Sequence, residues 1–217
     1  MQTPAVPIHT LPSPFGTSPE RQQLRDRMHR LASAGHLEEA IALTEPHVRL
    51  GSRDEEMLRL RAMLERELGR TAAAVVFASR AVELARDSDM LMILARADVH
   101  AGEMDRGLGR RREVLAMIPG HVPTRILMAQ ALESAVRTDE ATDVLEPLLA
   151  DVQGRDLRVA AQVHRVRAAV LVHRKQYGEA IELIDAAILG GAASDALRGL
   201  ARLPLSRGHG EPLARAV

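Results

Sequence analysis

The sequence has no cysteine, no tryptophan and no asparagine, and a single lysine, Lys175. Without cysteine there can be no disulfide, no thiolate nucleophile and no cysteine-based zinc site, although the redox compartment stays open. The other 28 of its 29 basic side chains are arginine, a bias that fits the codon usage of a GC-rich bacterial genome. Phe15, Phe77 and Tyr177 are the only aromatic residues. Charge of one sign is also missing: 29 basic and 29 acidic residues cancel, so there is no broad positive field to attract nucleic acid. No apolar run approaches the roughly 20 residues that a membrane-spanning helix needs. The opening MQTPAVPIHTLPSPFG has no basic segment leading into an apolar block, so it does not read as a secretory signal, and the expected location is the cytoplasm.

What is present is regular. Residues 1–19 carry Pro4, Pro7, Pro12, Pro14 and Pro19 and are expected to form a disordered or extended tail. Ser18-Pro19-Glu20 then offers a helix cap, a proline suited to a first helical position and an acid in the first turn. Beyond it, small residues recur. Ala40 and Ala74 lie 34 apart, Ala74 and Gly107 33, Gly107 and Ala141 34, and Ala141 and Ala180 39. A further step of 33 reaches Leu213.

Other columns keep the same register. Gly35, Gly69, Gly102 and Gly208 each stand five residues ahead of one of these anchors, with Val136 and Lys175 breaking the series. Twelve residues ahead are Met28, Ala62, Ala95, Ala129, Ala168 and Ala201, and sixteen ahead are Leu24, Leu58, Leu91, Arg125, His164 and Leu197. This pattern predicts two helices per repeat. Glycine closes the first because it adopts a left-handed backbone freely. The paired small residues then let the second helix lie close against the first, where enlargement should cost about 1–3 kcal/mol. Ser52 with Glu55 suggests a capping box, and Ser88 and Ser194 stand ahead of later helices. No useful strand-like alternation appears, so the expected fold is all-α.

The segments LASAGHLEEAIAL (31–43), LGRTAAAVVFASRAVEL (68–84) and RKQYGEAIELIDAAI (174–188) resemble the tetratricopeptide repeat, a helix-turn-helix unit of 34 residues. The resemblance implies a right-handed α-solenoid over residues 20–217, with five full repeats and most of a sixth. The family's usual aromatic positions are mostly Leu, Met or polar here, and its repeat-closing proline appears only as Pro119. Gly107 and Gly109 fall inside a second helix, each expected to cost about 1 kcal/mol against alanine. The additional residues before Ala180 fall near 150–159 and imply a longer loop or helix. The sixth repeat stops short, leaving either a frayed cap or the front part of a longer protein, and the expectation leans to the second.

The resemblance also implies a concave groove lined by the first helix of each repeat. Carried over repeat by repeat, it places Arg25 and His29, then Arg59, Met63 and Arg66, then Met92, Arg96 and His100 along that groove. Ile126, Gln130 and Glu133 follow, then Arg165 and His173, with Arg198 and Arg202 last. Such a groove suits an acidic or amphipathic peptide, because arginine can hold carboxylates bidentately. Glu56, Glu67 and Asp89 are the local acids that could instead occupy these arginines. Arg106, Arg110, Arg111 and Arg112 form a second basic cluster, either solvated or a docking patch for an acidic partner or a membrane surface.

Nothing in the chain marks an enzyme. The nine histidines are not paired at metal-ligand spacing, no glycine-rich phosphate loop follows a strand, and no nucleophile elbow is present. No cofactor or metal is expected. The expected role is a protein-protein interaction scaffold or adaptor. The alternatives are a regulatory front part of a larger enzyme, such as a sulfotransferase or glycosyltransferase, and an RNA reader of the pentatricopeptide kind. The lack of asparagine counts against the RNA reader, the chaperone-tail binders and the asparagine-lined grooves of sugar-transferring relatives.

Overall fold

The computed structural model describes residues 18–150 and 156–191. The predicted tail, apart from its last two residues, and the predicted sixth repeat lie outside the described residues. Among those described there are ten α-helices and no strand. In order they are α1 (Pro19–Ser33), α2 (Leu37–Thr44), α3 (Glu55–Glu67), α4 (Thr71–Leu84), α5 (Ser88–His100), α6 (Met104–Met117), α7 (Val122–Ser134), α8 (Thr138–Leu149), α9 (Leu157–His173) and α10 (Tyr177–Leu189). A short 3-10 helix, Glu45–His47, follows α2. The chain forms two compact units, Met1–Arg110 and Arg111–Val217, with the division falling inside α6.

Helix starts follow local chemistry. Ser18 caps α1 by accepting from the Arg21 N–H, with Pro19 in the first turn, as the sequence implies. Two of the expected serine caps are corrected. Asp54, not Ser52, caps α3 by accepting from Met57 N–H at 3.2 Å, and Asp87, not Ser88, caps α5 by accepting from Asp89 and Met90. In both cases a carboxylate, the stronger acceptor, stands next to or near the serine and takes the cap. Ser52 is engaged elsewhere, donating to His47 O.

The first unit packs α1 on α2, α2 on α3, α3 on α4 and α4 on α5. Its core contains the anchors Ala40 and Ala74 with Met28, Ala62, Leu58, Met57 and Met90, all buried. The second unit packs α7 on α8 and α9 on α10, with Ile126, Ala129, Leu145, Leu148, Val163 and Val166 in one cluster. Ala160, Ala161, Ala168, Ile184 and Ala187 form another. Ala40, Ala62, Ala95, Ala129, Ala141, Ala168 and Ala180 have no solvent exposure, and Ala74 has 1%. The columns of small residues are therefore the places where paired helices touch.

Gly107 serves as the small anchor of its repeat, as its column predicts, in addition to its propensity cost. A Cβ there would stand 2.8 Å from Ala95 O and 2.7 Å from Val99 Cγ2, closer than real Cβ contacts come. The missing methyl lets α6 rest on the α5 backbone, beside the Ala95 of the paired column. Gly109 meets nothing within 4 Å and keeps only its propensity cost.

The turns hold a second finding. Gly35, Gly69 and Gly102 have φ of +83°, +73° and +85°, as a glycine stop requires. Val136 and Lys175, which break the glycine series, have φ of +59° and +61°. The hydrogen bonding is the same: Gly35 N donates to Ala32 O and His36 N to Leu31 O, just as Val136 N donates to Glu133 O and Arg137 N to Leu132 O. Only the residue type departs, and a β-branched valine in this region is an outlier. The extra length before Ala180 is partly helical: α9 has 17 residues where α7 has 13.

Candidate functional site

The first helices of the pairs carry the side chains expected to line a groove, and in the first unit most of their cations are already engaged. Arg25 donates to Glu56 at 2.9 Å and lies beside Arg21, which bonds Glu56 at 3.1 Å and also Asp54. Arg59 donates to Asp87 at 2.9 Å, and both side chains are largely buried. Arg66 pairs with Glu67 at 2.5 Å. The arginines at 25 and 59 are therefore inter-helix ties from α1 to α3 and from α3 to the cap of α5, not open stations for a carboxylate. Glu56 and Glu67 take up arginines as the sequence suggests, but the partner of Arg59 is Asp87 and not Asp89. Beside these pairs, burial raises the Glu55 carboxyl above its ordinary range, opposed by Arg59 and reinforced by Asp87.

Two apolar residues assigned to the groove belong to the core. Met63 is buried in the first unit and Ile126 in the second. Both face the neighbouring helix instead of the open side.

What remains open in the first unit is small and specific. Met28, His29 and Ala32 of α1 and Leu60 and Leu64 of α3 line a shallow apolar dimple of about 10 Å³, at most the space of a single water. In repeat register His29 matches Met63 on α3 and Arg96 on α5, each eleven residues ahead of its anchor. Arg96 and His100 are exposed and have no ion pair among the described residues. The open features are thus His29 with its dimple, Arg96 and His100.

In the second unit the predicted residues are arranged differently. His173 Nε2 lies 3.0 Å from Glu133 Oε1, tying α9 to α7. Gln130 and Arg165 are half-buried. His164, at a position that is leucine in the first unit, has a buried Nδ1 without a hydrogen-bond partner. Burial, and then Arg167, lowers its pKa below the ordinary value. Among the described residues no three or more His, Cys, Asp or Glu side chains converge to hold a metal.

The arginine cluster of α6 is not a uniform patch. Arg110 pairs with Asp98 at 2.6 Å, and Arg106 lies 3.7 Å from the same carboxylate. Arg112 reaches Glu140 at 3.5 Å. Arg111 is only 4% exposed, and its Nε and Nη1 have no hydrogen-bond partner. Burial lowers its pKa. Its place four residues after Gly107 matches Thr44, Ala78, Leu145 and Ile184, all buried. That column is a core position the sequence reading passed over, and it would have shown Arg111 as its one charged member.

Helix pairs of this period, closed by left-handed turns and packed through small residues, define a helical-repeat protein. Its fold is that of the tetratricopeptide repeat. No protein-family model matches the chain, and no curated protein matches it in sequence. Solved structures do. MamA from AMB-1 superposes with a TM-score of 0.66 at 20% identity, over 79% of this chain and 99% of that one. YrrB, described as a tetratricopeptide protein with an unusual peptide-binding site, gives 0.69 at 15% identity over 83% and 91%. A tetratricopeptide repeat protein from Parabacteroides merdae gives 0.67 at 16% identity over 83% and 70%.

Proposed function

We propose that this chain is a protein-interaction scaffold, without a catalytic step of its own, that holds an extended peptide segment across α1, α3 and α5. The observation that carries the reading is the dimple between α1 and α3 in register with the open cation Arg96. An apolar side chain of the segment rests on the shallow apolar surface beside His29, and a carboxylate further along meets Arg96, so the preferred ligand is amphipathic with a single acid rather than broadly acidic. Arg25 and Arg59 contribute by fixing the helices, since their guanidiniums are already held by Glu56 and Asp87. The peptide-binding site for which YrrB is described supports this use of the fold. Neutral net charge favours a protein ligand over nucleic acid, and the cytoplasm is the proposed location.

The test is a displayed peptide library selected on the intact chain, with enriched peptides measured against wild type and His29→Ala/Arg96→Ala. Enrichment of peptides carrying an apolar residue and an acid, weakened about tenfold or more in the variant at unchanged melting temperature, supports the reading. Peptides that bind both proteins equally overturn this placement. RNA co-purifying with the chain at moderate salt would overturn the class of ligand.

A further inference from the structure

The first repeat is built differently from the others where its second helix ends. That helix, α2, stops at Thr44 after eight residues, whereas α8 runs on to Leu149 past Pro147, the proline in the same register as Pro46. The chain then passes through the 3-10 helix into a turn, Arg49-Leu50-Gly51-Ser52, closed by Ser52 N donating to Arg49 O at 2.9 Å. Gly51 has φ +82°, the value that the third residue of a type II turn requires.

This turn is braced by two side chains. Arg80 of α4 donates to Val48 O at 3.0 Å and to Arg49 O at 2.7 Å, while its guanidinium lies 5.9 Å from the centroid of Phe77. Ser52 Oγ donates to His47 O and accepts from Asp54 N. A turn fixed in this way presents Leu50 at 100% exposure. Arg49 and Arg53, on either side, are exposed and form no ion pair among the described residues.

We propose that this turn is a docking knob for an anionic lipid surface. A single leucine between two arginines has too little apolar area around it for an ordinary protein interface. A bilayer needs no matching hole: Leu50 enters the acyl boundary, and Arg49 and Arg53 stay at headgroup level against negative charge. One knob of this size binds weakly and reversibly, and binding falls as salt rises. The inference is independent of the peptide site on α1, α3 and α5.

The chain lacks tryptophan, so Leu50→Trp creates a lone fluorescent reporter at the tip. Its emission should shift to the blue with vesicles of phosphatidylcholine containing about a third phosphatidylserine, and not with phosphatidylcholine alone. Arg49→Gln and Arg53→Gln in that background should each weaken the partition by about fivefold. Val76→Trp, an exposed position on α4, should not shift. Co-sedimentation of the wild type with the anionic vesicles, lost in Leu50→Ser, checks the native side chain. The proposal is overturned by an unshifted tip on anionic vesicles at low salt, or by equal shifts on neutral vesicles or at position 76. It is equally overturned if Leu50→Ser releases a protein partner while leaving vesicle binding untouched.

Discussion

The two units reach the same local geometry by different means. In the first, glycine closes every helix pair, leucine fills the column sixteen residues ahead of each anchor, and arginine-carboxylate ties run from one pair to the next. In the second, valine and lysine stand in the left-handed turns, Arg125 and His164 replace the leucines, and the ties between pairs, His173 to Glu133 and Arg174 to Asp139, lie nearer the surface. Both keep the small-on-small contact, with Ala129 and Ala168 against Ala141 and Ala180 repeating Ala62 against Ala74. The shared part is what the fold demands. The rest is support that can be supplied in more than one currency.

The largest expected effect tests the shared part. Ala74→Leu in the first unit and Ala180→Leu in the second should each destabilise by about 1–3 kcal/mol, read as a lower melting temperature, whereas Arg110→Ala should do much less. Unchanged melting in the alanine variants would mean the helix register is wrong. Next comes the first unit's own device. Glu56→Ala leaves Arg21 and Arg25 without this partner and should cost about 2 kcal/mol, less than a fully buried pair because Arg21 is partly exposed. The equivalent tie of the second unit, removed by Glu133→Ala, should cost about 1 kcal/mol or less. Equal losses would erase the contrast between the units.

A smaller effect of opposite sign is expected from Val136→Gly, which relieves a left-handed residue at the cost of a looser unfolded chain. The net gain should be about 1 kcal/mol, and Gly35→Val should lose a similar amount. The smallest effect is a slope. Because burial lowers the His164 pKa below its ordinary 6.5, the unfolded chain binds that proton first. Stability should therefore be full above pH 6.5 and decline as pH falls below it. Denaturant titrations of His164→Leu should show that part of the acid-side decline removed.

The architecture was legible because packing writes itself into residue size at fixed spacing. Ala40, Ala74, Ala141 and Ala180 are the helix contacts, and Gly35, Gly69 and Gly102 are the stops, as their columns imply. The surface was less legible for three physical reasons. Ties such as Arg25 to Glu56 and Arg59 to Asp87 join residues 31 and 28 positions apart, and spacing does not reveal which acid a long side chain will reach. Met63 and Ile126 sit at the edge of a helix face, where a modest rotation separates groove from core. Serine and aspartate compete for caps within two residues, and the carboxylates of Asp54 and Asp87 win. Repeat register carries backbone geometry from one pair to the next more reliably than it carries side-chain roles.

The left-handed turn at Val136 has a consequence for the order in which the chain folds. A glycine stop such as Gly35 adopts its turn at little cost in an isolated helix pair, so it can help to guide the two helices together. Valine opposes the same turn by about 1–2 kcal/mol until neighbouring contacts outweigh it. The Val136 turn is therefore expected to close after α7 and α8 have found each other, a latch set by packing, whereas the Gly35 turn acts as a hinge made in advance. Refolding kinetics of Val136→Gly, which should be faster than wild type, check that order. Two turns with matching hydrogen bonds in the finished molecule thus stand at opposite ends of the route to it.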